Sequence, residues 1–280
     1  MNKIVHERSS VPPIKEEIIT KNAAETHSNS LFNHVFLEVA LFTLFTWRFF
    51  KKVFKPPYEF NELVKQSFLI GYKSLLLVGI TGFIIGLVLT IQSRPTLVQF
   101  GAESWLPAMV AVSIIREIGP VITALIFAGK VGSGIGAELA SMNVTEQIDA
   151  MQVSGANPFN YLVVTRVVAS TLMLPILAIY ADAVGLLGAF FGVNLKGNVS
   201  MDLFIAQVFT SLEFSDLFPA IVKTFFFGFA IGLIACYRGY NSNKGTEGVG
   251  KAANSAVVFG SLMIFIIDMI AVQITSLYQY

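Results

Sequence analysis

Five runs of apolar residues, at 68–92, 106–131, 161–193, 217–237 and 253–277, constrain this 280-residue chain more than any other feature. Each is apolar all round, and each reaches the roughly 20 residues that a helix needs to cross a hydrocarbon core about 30 Å thick. In lipid every backbone N–H and C=O must be satisfied within the segment, so the runs are read as helices. Composition agrees, because 54% hydrophobic against 13% charged residues, with a mean hydropathy of +0.68, does not suit a water-solvated globule. The predicted fold class is an all-α polytopic membrane protein with five transmembrane helices.

The N-terminal flank divides in two. Residues 1–30 mix charges of both signs with Ser, Thr, Asn and Pro12-Pro13 and contain no apolar h-region, so a polar tail is expected rather than a cleaved signal. Residues 31–55 are apolar and aromatic, carry His34 and Glu38, end on Arg48, Lys51, Lys52 and Lys55, and are stopped by Pro56-Pro57. Their length allows a span. Glu38 and the basic end favour instead a helix lying in the interface, cations on headgroups and aromatics in the acyl boundary. Residues 56–280 form the expected membrane domain.

Several function classes drop out. Nineteen Lys and Arg against eighteen Asp and Glu leave a formal charge of +1, so there is no basic field to hold a nucleic acid. Cys236 stands alone, which removes intrachain disulfides and Cys-based zinc sites, and His6, His27 and His34 lack metal-ligand spacing. Gly245–Lys251 fits G-x-x-x-x-G-K, but Ala252 stands where a P-loop needs a hydroxyl, and no room exists for a nucleotide-binding fold. Gly132-Ser-Gly-Ile-Gly-Ala137 follows a membrane segment rather than a strand and is expected to be a flexible exit from the bilayer.

Fifteen of the nineteen Lys and Arg fall before the first span or at its start, or in the 130–166 and 238–252 connections. Only Arg94 and Lys196 fall in the others, and Arg116 and Lys223 lie inside spans. The positive-inside rule then predicts a cytoplasmic N-terminus and, across five spans, a C-terminus on the outer side.

Ionisable groups inside spans are the sharpest chemical signal, since each costs about 2.5–3.5 kcal/mol at a helix centre on insertion scales. They are Arg116, Glu117, Asp182, Lys223 and Asp268. Arg116-Glu117 precede Gly119-Pro120, which loosens the helix and frees backbone groups. The five either line a substrate path or form an ion-pair network that only locks helices together. A second signal is the acidic, amphipathic segment 138–155, with Glu138, Met142, Thr145, Glu146, Gln147, Asp149 and Met151, ended by Gly155. Anionic headgroups would repel it, so a protein partner is expected.

Arg116-Glu-Ile-Gly-Pro-Val-Ile-Thr-Ala-Leu125, Ala128-Gly-Lys-Val-Gly-Ser133, Ala137-Glu138 and Met142-Asn-Val-Thr-Glu-Gln-Ile-Asp-Ala150, continuing through Gly155 to Asn157-Pro158, together resemble the signature of the MlaE permease family. These are membrane subunits of MCE-type lipid-transport ABC systems. The resemblance runs from about residue 54 to the C-terminus. It implies a homodimer that binds phospholipid between its protomers, in the bacterial inner membrane, where it would serve outer-membrane lipid asymmetry, or in the chloroplast inner envelope; the lack of transit-peptide character in the N-terminal residues favours bacteria. Two copies of a separate ABC ATPase would dock on 138–155 as a coupling helix, and a ring of MCE-domain subunits would sit on the outer side. No cofactor belongs to this chain, since ATP would be hydrolysed by the partner. The family's charged translocation residues match Arg116, Glu117, Lys223 and Asp268, with Arg116 or Lys223 meeting a phosphate headgroup. Two rivals read the same charges otherwise. An ion-coupled secondary transporter would use them as coupling sites, although no two-half repeat is visible, and a scaffold would use them for helix register.

Overall fold

The computed structural model describes residues 30–56, 58–195, 197–243 and 245–278. The predicted tail, with His6 and His27, and the topogenic Lys196 and Lys244 lie outside the described residues. The chain divides into two units, 1–47 and 48–280. The described part of the first is the body of α1 (Ser30–Val53). Within it Thr43 and Thr46 donate to the carbonyls of Val39 and Phe42, each at 2.8 Å, so these hydroxyls need no water in an otherwise aromatic helix.

Among the described residues, the second unit carries five helices long and apolar enough to cross a membrane. They are α2 (Phe60–Gln99), α3 (Glu103–Val144), α5 (Phe159–Asn194), α7 (Phe214–Tyr240) and α8 (Thr246–Tyr278). The short α4 (Gln147–Val153) joins α3 to α5 at one end of the bundle, and α6 (Met201–Ser211) joins α5 to α7 at the other. α1 is not among the spanning helices. The predicted spans are all present, but the helices outrun them. α2 has 40 residues, about 60 Å at 1.5 Å per residue, twice the hydrocarbon thickness. Hydropathy marks the part of a helix that sits in oil, and exposed polar residues such as Asn61 and Lys65 continue it into water.

Small residues set the helix contacts, as their four-residue spacing predicts. Gly82 and Gly86 of α2 lie against Ala181 and Gly185 of α5, and Gly188 and Gly192 of α5 answer against Phe83 and Thr90. Gly228 and Gly232 of α7 meet Ser170 and Val167 of α5. At the α6 end, Leu106, Val110 and Ile114 of α3, Val193 of α5, and Phe204 and Val208 of α6 close a buried cluster. Ser200 caps α6, its hydroxyl accepting from the N–H of Leu203 at 3.3 Å.

One expectation is corrected. The glycines of 132–137 do not end the helix: α3 passes through a π turn at Ala128–Gly132 and runs on to Val144. They permit close packing instead, since a methyl at Gly136 would meet the Ala252 carbonyl of α8 at 3.2 Å, and one at Gly239 of α7 would meet the Gly136 carbonyl at 2.7 Å. The P-loop-like 245–252 is a turn, with Gly245 at φ +113°, running into the start of α8.

Candidate functional site

The middle of α3 is a π turn, Ile114–Ile118, in which the Gly119 N–H reaches back five residues to the Ile114 carbonyl. Pro120 follows with no N–H to give, so the ordinary register cannot run through this point. Arg116 and Glu117 stand on that turn, and neighbouring positions on a helix point about 100° apart. They therefore take different partners.

Glu117 faces α7 and α8. Lys223 Nζ of α7 donates to Glu117 Oε2 at 2.6 Å and to Asp268 Oδ1 of α8 at 2.9 Å. The Lys223 side chain is 4% exposed, so one ammonium ties three helices together and has both carboxylates to balance it. Arg116 Nε lies 3.3 Å from Asp216 Oδ1 at the start of α7. Asp216 closes a capping box with Glu213, its Oδ2 accepting the Glu213 N–H at 3.4 Å, so its carboxylate is held by the helix terminus before it meets the guanidinium. Arg116 is 38% exposed, which makes it the more open of the two cations. Arg116, Glu117, Asp216 and Lys223 line a cavity of about 90 Å³ that also takes in Ser215, Pro219 and Thr275. Two cations stand against Glu117, Asp216 and Asp268, a formal balance of −1.

The four predicted translocation residues thus come together. Asp182 does not join them; it lines a second, apolar cavity of about 360 Å³ between α3, α5, α6 and α7. Asp216 escaped the sequence reading. Its signal was there, an acid three residues after Glu213 at the threshold of an apolar run, the pattern of a helix N-terminus.

The predicted coupling segment is not one helix. Glu138 and Met142 belong to the end of α3, Thr145 and Glu146 form the turn, with Glu146 left-handed at φ 58°, and Gln147, Asp149 and Met151 lie on α4. Ile148 is buried and anchors α4, while Glu146, Gln147 and Asp149 are exposed. Glu138, also exposed, accepts from the guanidinium of Arg166, whose Nη2 donates to it at 2.9 Å while its Nη1 donates to the Leu162 carbonyl at 3.0 Å. The Arg166 side chain is 3% exposed, so a residue that counted in sequence only as a flank charge pins the end of α3 to α5.

A bundle of five spanning helices with an ion cluster at mid-helix defines a multi-pass membrane protein, and similarity to known proteins makes it the membrane component of a transporter. The profile of the Permease MlaE family matches residues 63–274, and the chain belongs to that family. A probable ABC transporter permease protein of Rickettsia typhi is 38% identical over 236 residues, covering 84% of this chain and 91% of that protein. The intermembrane phospholipid transport system permease protein MlaE of Haemophilus influenzae is 36% identical over 218 residues, covering 77% and 83%. A probable ABC transporter permease protein of Synechocystis is 34% identical, covering 81% and 86%.

Proposed function

We propose that this chain is the transmembrane permease of an ATP-driven phospholipid transporter of the bacterial inner membrane. Two copies enclose the lipid path. Apolar walls take the acyl tails, and the open Arg116 at the edge of the charged cavity takes the phosphate, with a bidentate fork that suits it. Lys223 is held by Glu117 and Asp268 in the resting state, so it reaches a headgroup only as those pairs exchange. The observation that carries the reading is this three-helix bridge, beside Arg116 and on the break in α3, in a chain of the MlaE family.

The N-terminus is cytoplasmic and the C-terminus periplasmic, an assignment supported by the skewed Lys and Arg count. Residues 1–30 are a cytoplasmic tail, 31–55 an interfacial helix, and 56–280 the permease domain. Two cytoplasmic ABC ATPases bind the turn and α4, where Glu146, Gln147 and Asp149 are presented, and an MCE-domain ring binds the opposite face. Arg166 and Glu138 pass the push on α4 into α3 and α5. The system maintains outer-membrane lipid asymmetry.

The test is a mild-detergent pull-down of the tagged chain with bound proteins and lipids identified by mass spectrometry, run beside Glu146→Lys/Asp149→Lys. Recovery of an ATPase, an MCE-domain protein and phospholipid, with only the ATPase lost from the double variant, is the expected result. A chain that emerges alone and lipid-free, with transport that follows an ion gradient, overturns the reading.

A further inference from the structure

Two routes lead from α4 to the charged bridge. One runs back through the turn into α3, where Glu138 meets Arg166. Between Glu138 and Glu117, however, α3 passes through the π turn at Ala128–Gly132 before it reaches the one at Ile114–Ile118. π turns are places where a helix bends and slips in register, so an axial displacement of α3 is absorbed there. The other route is α7, an uninterrupted α-helix over the 17 positions from Tyr240 back to Lys223, about 25 Å at 1.5 Å per residue. Its one proline, Pro219, lies on the far side of Lys223. A displacement applied at Tyr240 therefore arrives at Lys223.

Tyr240 is also tied to α4. Its hydroxyl is hydrogen-bonded to the side chain of Gln152, in the last turn of α4. The ring is packed from behind. It meets Phe159, at the start of α5, edge to face with centroids 6.1 Å apart, and Phe159 is wholly buried. Over Phe159 lies the Arg48 guanidinium, 4.5 Å from the ring centroid, close enough for a cation–π attraction. Arg48 stands in the part of α1 that belongs to the second unit, and its neighbours Phe49 and Phe50 pack on Phe229 of α7, each at 5.7 Å. The end of α1 and the start of α5 thus fix the tyrosine ring whose hydroxyl is bonded to α4.

We propose that Tyr240 is a positioning residue for transport: it carries a displacement of α4 along α7 to Lys223, and Arg48 and Phe159 hold its ring as it does so. The inference rests on the reading that an ATPase docks on α4, and it names the side chain through which that docking acts on the bridge.

The test uses the full chain with its co-purified ATPase in phospholipid vesicles, with ATP hydrolysed and headgroup-labelled phospholipid moved measured in the same sample. Tyr240→Phe removes one oxygen and keeps the ring on Phe159. The ATPase is expected to co-purify in the same amount and to turn over ATP, while lipid moved per ATP falls about fivefold, the effect of one hydrogen bond. Gln152→Leu should give the same fall, and the two changes together no more than either alone, because both break one bond. Arg48→Ala should lower the ratio about twofold and Arg48→Lys restore it, since a cation again covers Phe159. An unchanged ratio in Tyr240→Phe, losses that add in the double variant, or loss of the ATPase from the Tyr240→Phe complex would each overturn the proposal. A wild-type complex that moves no lipid with ATP overturns the transport reading and this inference with it, whereas a working wild type beside an equally efficient Tyr240→Phe overturns this inference alone.

Discussion

Two cavities flank α7 and share Ala220, yet they treat charge in opposite ways. On one side Lys223 is sunk between Glu117 and Asp268, and Arg116 meets a capped Asp216, so each charge has a counter-charge at 2.6–3.3 Å. On the other, a single carboxyl, Asp182, stands in an apolar wall with an oxygen unpartnered. The contrast shows that an ionisable residue in a span is not one kind of signal. A paired group belongs to the architecture until something displaces a partner, whereas an oxygen sealed in without a partner is a cost that the fold carries at that point.

Substitutions on the two sides should therefore differ in sign. The largest effect is expected at Lys223→Met, which leaves Glu117 and Asp268 facing one another and, as with other broken buried pairs, costs about 3–5 kcal/mol; thermal unfolding in detergent reads it, and transport should vanish with it. Next comes Ala220→Phe, which overfills the shared wall at about 1–3 kcal/mol and should lower the unfolding midpoint and transport together. Asp182→Leu should go the other way, raising the unfolding midpoint by the equivalent of about 1 kcal/mol, because it removes a polar group with no partner. A clear destabilisation there would mean that Asp182 has a structural partner. Arg116→Gln is the smallest for stability, within about 1 kcal/mol since the pair is partly exposed, and should still cut transport at least tenfold if the guanidinium meets the phosphate. Equal transport by this variant would remove Arg116 from the lipid path.

The legibility of the fold and the site divides along a related line. Span number and the glycine contacts were readable because they rest on local rules, apolar length and small residues at four-residue spacing. That Arg116, Glu117, Lys223 and Asp268 form a set was readable from the expense of each in lipid together with the family resemblance. Which cation takes which anion was not, because Lys223 meets residues 106 and 45 positions away and only tertiary packing brings them within reach. Asp182 looked like a fifth member of that set and proved to stand apart from it, since its position on α5 lays its carboxyl against Gly119 beside the other cavity. Glu138 read as part of a partner surface and, while exposed, also pairs with Arg166, whose burial no local pattern announces. The ends of the helices were missed for a simpler reason: hydropathy ends where lipid ends, and backbone hydrogen bonding continues beyond it.

The most direct measurement is ATP-dependent movement of a headgroup-labelled phospholipid by the chain reconstituted with its co-purified ATPase, comparing Glu117→Arg, Lys223→Glu and the two combined. If the bridge is a working part of a lipid permease, each single change abolishes movement and the pair restores a substantial fraction of it, because opposite charges again face each other between α3 and α7. Full movement in either single variant, or movement driven by an ion gradient in the absence of ATP, would contradict the account.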